Sequence, residues 1–263
     1  VPGEFKIFDE IVVNAIDQYT RTRESTDPKT SRVKNIRVDY SRETGEISVF
    51  NDGDGIPVEK YKGEDIYIPE LIFGSLLTSS NYTEGEKKHA GGKNGYGAKL
   101  ANIFSKRFTI ETVDQNLKKS FVMSFTDNMT QREKPVIKAC KTKPFTRISY
   151  VPDYPRLGGQ TKLSEDMIKI IEKRTFDMAA CTDDKTSVFL NGEKIDYKNF
   201  EKYTSMYIGD KAETPRVYES PNNRWEVVAS LNPFVNFEHV SFVNGINTYQ
   251  GGKHVEYITN QIC

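Results

Sequence analysis

From Phe5 to Tyr19 the chain reads FKIFDEIVVNAIDQY. Phe5, Phe8, Val12, Ala15 and Tyr19 recur at three- and four-residue steps, with Ile11 and Ile16 beside them, and this spacing predicts an amphipathic helix. The opposite stripe holds Glu10, Asn14 and Asp17, which share one face, with Gln18 at its edge. After a polar loop around Glu24 to Arg32, Ile36, Val38 and Tyr40 alternate with polar residues. SRETG then turns the chain, and Ile47 and Val49 alternate in their turn, which predicts a β-hairpin with its turn near Thr44-Gly45. Asn51 continues the parity of Ile47 and Val49, so its side chain is expected on the face they occupy. Leu71 to Leu77 reads as a short helix ending in TSSNY, and the polar run Glu84 to His89 as the start of a mobile loop. Phe108–Val113, Phe121–Phe125 and Thr146–Val151 read as strands. Strands follow strands without βαβ alternation, which predicts a mixed α+β sandwich rather than a doubly wound sheet.

Near Pro152-Asp153-Tyr154-Pro155 the chain changes character, and a domain boundary is expected there, dividing residues 1–153 from 154–263. Ser164 is placed to cap a helix running to about Ala180, with Glu165 and Asp166 complementing its N-terminal dipole. VFLNGEKI, Val188 to Ile195, carries the Asn191-Gly192 hairpin signal. Val227–Leu231 and Val240–Ile246 read as strands, and a last helix starts near Lys253.

The 263 residues suffice for two ordinary domains or one large one. With 37% hydrophobic and 28% charged residues the composition is that of a soluble globular protein. No apolar run approaches the roughly 20 residues that cross a bilayer. Val1 opens the chain without a methionine, which leaves a removed leader open. Lys plus Arg total 37 and Asp plus Glu total 37, so the formal charge is zero. This balance does not suit a protein whose only task is to neutralise a phosphate backbone. Cys140, Cys181 and Cys263 form no CxxC and no metal spacing, and three scattered thiols fit a reducing intracellular compartment. In such a compartment the glycosylation patterns at Asn81 and Asn128 are accidental.

Three stretches carry candidate chemistry. GGKNGYGAKLAN, Gly91 to Asn102, places four glycines and a lysine before a helical run. Glycines let main-chain N–H groups crowd a ligand, and a helix start adds unpaired donors, so the combination suits a polyphosphate. Lys93 and Lys99 add point charges. The Walker pattern fails because the loop ends Gly97-Ala98-Lys99. The dinucleotide fingerprint fails because EGEKKHA, not a buried strand, precedes the glycines. A flexible loop with a glycine-rich helix entry is the alternative. NDGDGIP, Asn51 to Pro57, ends a strand; Asn51 offers a donor and an acceptor to a base edge, and Gly53 and Gly55 allow close approach to a flat ligand. An Asp-Gly turn is the alternative. A calcium loop fails at Ile56 and Pro57, where an oxygen ligand and a glycine are required. The stripe Glu10, Asn14, Asp17 fits a solvated helix face. It also fits a general base, Glu10, with an oxygen ligand for magnesium, Asn14, one turn away.

Taken in order, a helix with ExxxN, a strand ending in NxGxG and then GGxNGYGAK resembles the GHKL ATPase superfamily. FKIFDEI, NDGDGIP, LTSSNY and GGKNGYGAKLANIF are similar to the ATPase region of eukaryotic-type type II DNA topoisomerases. VFLNGEKI, RWEV and SFVNGINTYQGGKHVEYI resemble that family's transducer domain, so the likeness covers nearly the whole chain. The resemblance implies a GHKL (Bergerat) α/β sandwich followed by a smaller, C-terminally truncated transducer. It implies ATP and Mg2+ as ligands. It makes Glu10 the activator of the attacking water, Asn14 the magnesium ligand and Asn51 the reader of the adenine edge. Asp17 joins the nucleotide site, Ser79, Ser80 and Asn81 contact ribose and phosphate, and Gly92, Lys93, Asn94, Gly95, Tyr96, Gly97, Ala98 and Lys99 form the lid over the triphosphate. It further implies a homodimer on ATP binding, DNA as the partner of the full-length enzyme, and a nuclear setting. Related clamps of the MutL mismatch-repair type or the heat-shock chaperone type are the alternatives.

The family supplies a further lysine from a Gln-Thr-Lys loop beyond the helix near Lys253. Gln160-Thr161-Lys162 spells the same tripeptide but precedes the first transducer helix and is rejected for that role. The family's N-terminal arm would precede Val1. No tyrosine nucleophile module or acidic metal site for DNA cleavage is assigned, so this chain alone is not expected to cut DNA. Because one charge stabiliser typically contributes about 10²–10³ in rate, the isolated chain is expected to hydrolyse ATP slowly. Turnover equal to that of a longer chain containing the Gln-Thr-Lys loop would contradict this.

Overall fold

The computed structural model describes residues 2–75, 96–158, 161–197, 199–222, 224–234 and 236–262. Helix α1 (Pro2–Glu24) opens the chain, with a proline in the first turn, where no intrahelical N–H is needed. The hairpin β1 (Asn35–Tyr40) and β2 (Ile47–Asp52) follows, then the short helices α2 (Ile68–Gly74) and α3 (Gly97–Ile103). A meander comes next: β3 (Ser105–Asp114), β4 (Lys119–Thr126), β5 (Gln131–Arg132), β6 (Val136–Ala139) and β7 (Phe145–Pro152). Helices α4 (Tyr154–Gly158) and α5 (Glu165–Ala180) precede the hairpin β8 (Ser187–Leu190) and β9 (Glu193–Lys194). The remainder holds α6 (Phe200–Ile208), the pair β10 (Arg216–Asn222) and β11 (Trp225–Ser230), the pair β12 (Phe242–Val243) and β13 (Ile246–Asn247), and α7 (Lys253–Ile262).

Nine strands form one sheet in the order β5-β4-β3-β7-β2-β1-β8-β9, with β6 also on β4. Its pairs are antiparallel except β1 with β8. One face is apolar. It carries Ile36 and Val38, Ile47 and Val49, Ile148 and Tyr150, Phe108 and Ile110, and Phe121, Met123 and Phe125, all buried. Phe8, Val12, Ala15 and Ile16 of α1 and Met167, Ile168 and Ile171 of α5 cover that face in one continuous core. This core does not stop at Asp153. Helix α5 and strand β8, which lie beyond it, complete the same two layers.

Local chemistry explains the elements. Ser164 Oγ accepts the Met167 N–H at 3.2 Å and caps α5, as its sequence position predicts. Asn191 and Gly192 both take positive φ, 47° and 81°, which is the tight-turn geometry of the β8–β9 hairpin. The expected strand Val240–Ile246 is instead the β12–β13 hairpin. Asn244 and Gly245, with φ of 51° and 74°, supply a second such turn in its middle. The α2 helix ends at Gly74; the polar run Glu84 to His89, expected to be mobile, lies outside the described residues.

A buried ion pair ties three of these pieces together. Arg174 Nε of α5 donates to Asp9 Oδ1 of α1 at 2.6 Å, and Arg174 Nη2 donates to the Gly245 carbonyl at 2.8 Å. Arg174 is 3% exposed. Removing one member of such a pair strands the other charge in a low-dielectric interior, at a cost of about 3–5 kcal/mol. Arg174→Met is therefore expected to lower unfolding free energy by about that amount, and the double variant Asp9→Leu/Arg174→Met by less. Urea unfolding measures both. A double variant as unstable as the sum of the singles would contradict the pairing.

Candidate active site

Helix α1 buries Ile11, Val12, Ala15 and Ile16 and leaves the predicted stripe at the protein's edge: Glu10 is half-buried, Asn14 exposed and Asp17 half-buried. The Glu10 carboxylate, 22% exposed, pairs with Lys6 one turn earlier at 2.5 Å. At the end of the stripe, Gln18 Nε2 donates to the Asp54 carbonyl at 2.8 Å, so α1 is latched to the NDGDGIP loop.

The start of α3 lies directly on Glu10. A Cβ added at Gly97 would fall 1.8 Å from Glu10 Oε2, so only a glycine backbone fits against this carboxylate. Of the other expected lid residues, Tyr96 precedes α3, Ala98 is half-buried, and Lys99 is buried in its first turn. Burial pulls the Lys99 ammonium below the ordinary lysine pKa. Asn102 Nδ2 donates to the Phe73 carbonyl at 3.0 Å and fastens α3 to α2. The expected site residues Ser79, Ser80, Asn81, Gly92, Lys93, Asn94 and Gly95 lie outside the described residues.

Asn51 is 6% exposed and follows Ile47 and Val49 on the helix-covered face of β2. Its Nδ2 donates to the Asp52 carbonyl at 3.1 Å. Across the ladder it faces Thr146 of β7, which in turn faces Thr112 of β3. The Thr112 hydroxyl accepts the Ile56 N–H at 2.9 Å, donates to the Phe145 carbonyl at 2.9 Å, and lies 3.1 Å from the Thr146 hydroxyl. Three aligned strands thus end their apolar face in one polar row, Asn51–Thr146–Thr112. The two threonines were legible by the parity that places Asn51. Thr146 is in step with Ile148 and Tyr150, and Thr112 with Ile110 and Phe108.

Gly55 of NDGDGIP has a packing role that the sequence did not indicate. A Cβ at Gly55 would fall 1.9 Å from the Val113 carbonyl, so its bareness serves packing against β3. The two aspartates are also committed. Asp52 Oδ1 accepts the Lys34 and Asn35 N–H groups at 2.6 and 2.8 Å, and Oδ2 accepts Asn35 Nδ2 at 2.7 Å. Asp54 Oδ1 accepts the Ser31 N–H at 2.8 Å. These carboxylates clamp the 31–35 segment to the strand end. Among the described residues no three His, Cys, Asp or Glu side chains gather to hold a metal unaided.

The helix-edge carboxylate, the bare helix entry and, of the polar row, Asn51 and Thr112 lie in the part of the chain that carries an ATPase class: residues 5–128 match the family described as histidine kinase-, DNA gyrase B-, and HSP90-like ATPase, and Thr146 follows it on β7. The crystal structure of the ATPase region of Saccharomyces cerevisiae topoisomerase II is similar over 100% of this chain and 67% of that one, with a TM-score of 0.89 and 44% identity. DNA topoisomerase 2 of Arabidopsis thaliana is 44% identical over 269 residues, covering 100% of this chain and 18% of the relative. DNA topoisomerase 2-alpha of Homo sapiens is 44% identical over 267 residues, covering 100% and 17%. The chain belongs to the type II DNA topoisomerase family and corresponds to its ATPase region. It spans less than a fifth of the length of these two curated relatives. No helix among the described residues is long and apolar enough to cross a membrane.

The contact between α3 and Glu10 makes a direct prediction. Gly97→Ala drives a methyl into the carboxylate, and under the role for Glu10 proposed below an ångström of misplacement there costs about 10² in rate. ATP turnover is expected to fall by about that factor while the thermal melting curve stays close to that of the parent. Unchanged turnover would contradict the contact.

Proposed function

We propose that this chain binds ATP with magnesium along the α1 stripe and hydrolyses it, with Glu10 as general base. The observation that carries the proposal is the seating of the Gly97 backbone on the Glu10 carboxylate, which joins the two motifs most distant in chemical role. Asn51, with Thr146 and Thr112 beside it, supplies donors and acceptors suited to the edge of an adenine ring. The glycine-rich stretch from Gly92 through Lys99 is assigned to the triphosphate, with Ser79, Ser80 and Asn81 toward ribose and phosphate and Asp17 at the rim.

Phosphoryl transfer asks a protein chiefly for position and charge stabilisation. Glu10 holds a water in line and takes its proton as the bond to the leaving phosphate breaks. The α3 entry, packed on Glu10, keeps that carboxylate from swinging and keeps bulk water from one side of it. The exposed Asn14 amide, one turn from Glu10, fits a hard cation that takes one or two protein oxygens alongside water and phosphates. Magnesium, when bound, neutralises phosphate charge.

Within a longer protein we assign this module the closure of a dimer gate around DNA, with two copies associating on ATP binding and a nuclear setting. Support comes from the full-chain similarity to proteins named DNA topoisomerase 2. The same similarity disfavours the mismatch-repair and chaperone alternatives. The expected division near Asp153 belongs to this reading, with α5, β8 and β9 lending their packing to the first unit.

Calorimetric titration with a non-hydrolysable ATP analogue and magnesium, with subunit mass measured before and after, tests the assignment. The parent chain and Glu10→Gln are expected to bind the analogue alike, while Glu10→Gln loses about 10²–10⁴ of turnover. Lost binding, or undiminished turnover, would remove Glu10 from the role of base.

A further inference from the structure

Five cations gather around one cleft of a molecule whose formal net charge is zero. At the sheet end carrying Asp52 and Gly53, but toward the face opposite Asn51, three loops enclose an open cleft of about 1190 Å³. Arg32, Lys34, Lys118, Lys141 and Lys143 line it, and all five are exposed. None of the five forms an ion pair among the described residues. Two carboxylates share the cleft. Asp52 has both oxygens occupied by donors of Lys34 and Asn35, and Asp27 Oδ1 accepts the Lys29 N–H at 2.9 Å. Five cations against two such acids leave a net positive, solvent-open concavity.

The cleft offers no means of reading bases. No aromatic side chain lines it. The rings beside it are covered by guanidinium groups: Phe145, which follows the lining residue Pro144 and pairs opposite Asp52, by Arg147 at 5.8 Å, and Phe50 and Phe189 by Arg37 at 5.1 and 5.6 Å. Base stacking, the hallmark of single-strand binding, therefore has no free platform here. Cations spread over separate loops suit several phosphates along one backbone.

We propose that this cleft is a second site, separate from the nucleotide site, that binds the phosphate backbone of duplex DNA without reading its sequence. The choice of DNA rests on the proposed function of the chain. The charged lining rests on the structure alone.

Fluorescence anisotropy with a labelled duplex of about 24 base pairs, without nucleotide, tests the site. Each phosphate contact contributes about 0.9 to the slope of log affinity against log salt, so Lys141→Glu/Lys143→Glu is expected to flatten that slope by about 1.8 and weaken binding at least tenfold at ~50 mM salt. Lys169→Glu/Lys202→Glu changes net charge equally on exposed helix positions elsewhere and is expected to leave both nearly unchanged. The proposal is overturned if the two double variants bind duplex alike, if a single strand binds more tightly than the duplex, or if an acidic peptide binds and the duplex does not. Analogue binding is measured on the same samples. Its absence in the parent chain would strike the nucleotide assignment, whereas its persistence with an unaltered salt slope would strike the DNA site alone.

Discussion

Helix α1 has to be two things along its length. Phe8, Val12, Ala15 and Ile16 must lie under the sheet to close the core, while Glu10 and Asn14 must reach the edge, where the nucleotide site is proposed. A period of 3.6 residues allows both only if the helix is held at one rotation about its axis. Among the contacts that hold it are Asp9 with Arg174 from behind, Gln18 with the Asp54 carbonyl at its far end, and Gly97 against Glu10 from the front. A turn of α1 that improved one contact would break the others.

That arrangement links the candidate site to the later part of the chain by a short physical route. Glu10 and its neighbour Asp9 point to different partners. The Arg174 that holds Asp9 also holds the Gly245 carbonyl in the β12–β13 turn. An interior charge pair is a poor source of net stability, but a shift that separated Asp9 from Arg174 would leave a buried charge without its partner.

Much of this was legible in order. The i, i+3, i+4 spacing gave α1 and its polar stripe, strand parity placed Asn51 on the helix-covered face, and Asn-Gly marked the β8–β9 turn. The same parity applied to Thr112 and Thr146 would have completed the polar row. What stayed hidden depends on contacts between distant residues. Nothing local reveals that β8 pairs in parallel with β1, or that α5 shares the core of α1 across the expected boundary. Nor does composition reveal which glycines face protein. Gly55 is bare because the Val113 carbonyl is in the way. A net charge of zero likewise concealed the segregation of five cations around one cleft.

On the function proposed above, Glu10, Asn14, Asn51 and the entry of α3 converge on one ligand. A crystal structure of the chain with a non-hydrolysable ATP analogue and magnesium tests this most directly. The predicted result has the base against Asn51 and Thr146 and the terminal phosphate facing Glu10 beside the α3 entry. An analogue lodged instead among Lys34, Lys118 and Lys141, with the α1 stripe in contact only with water, would contradict it.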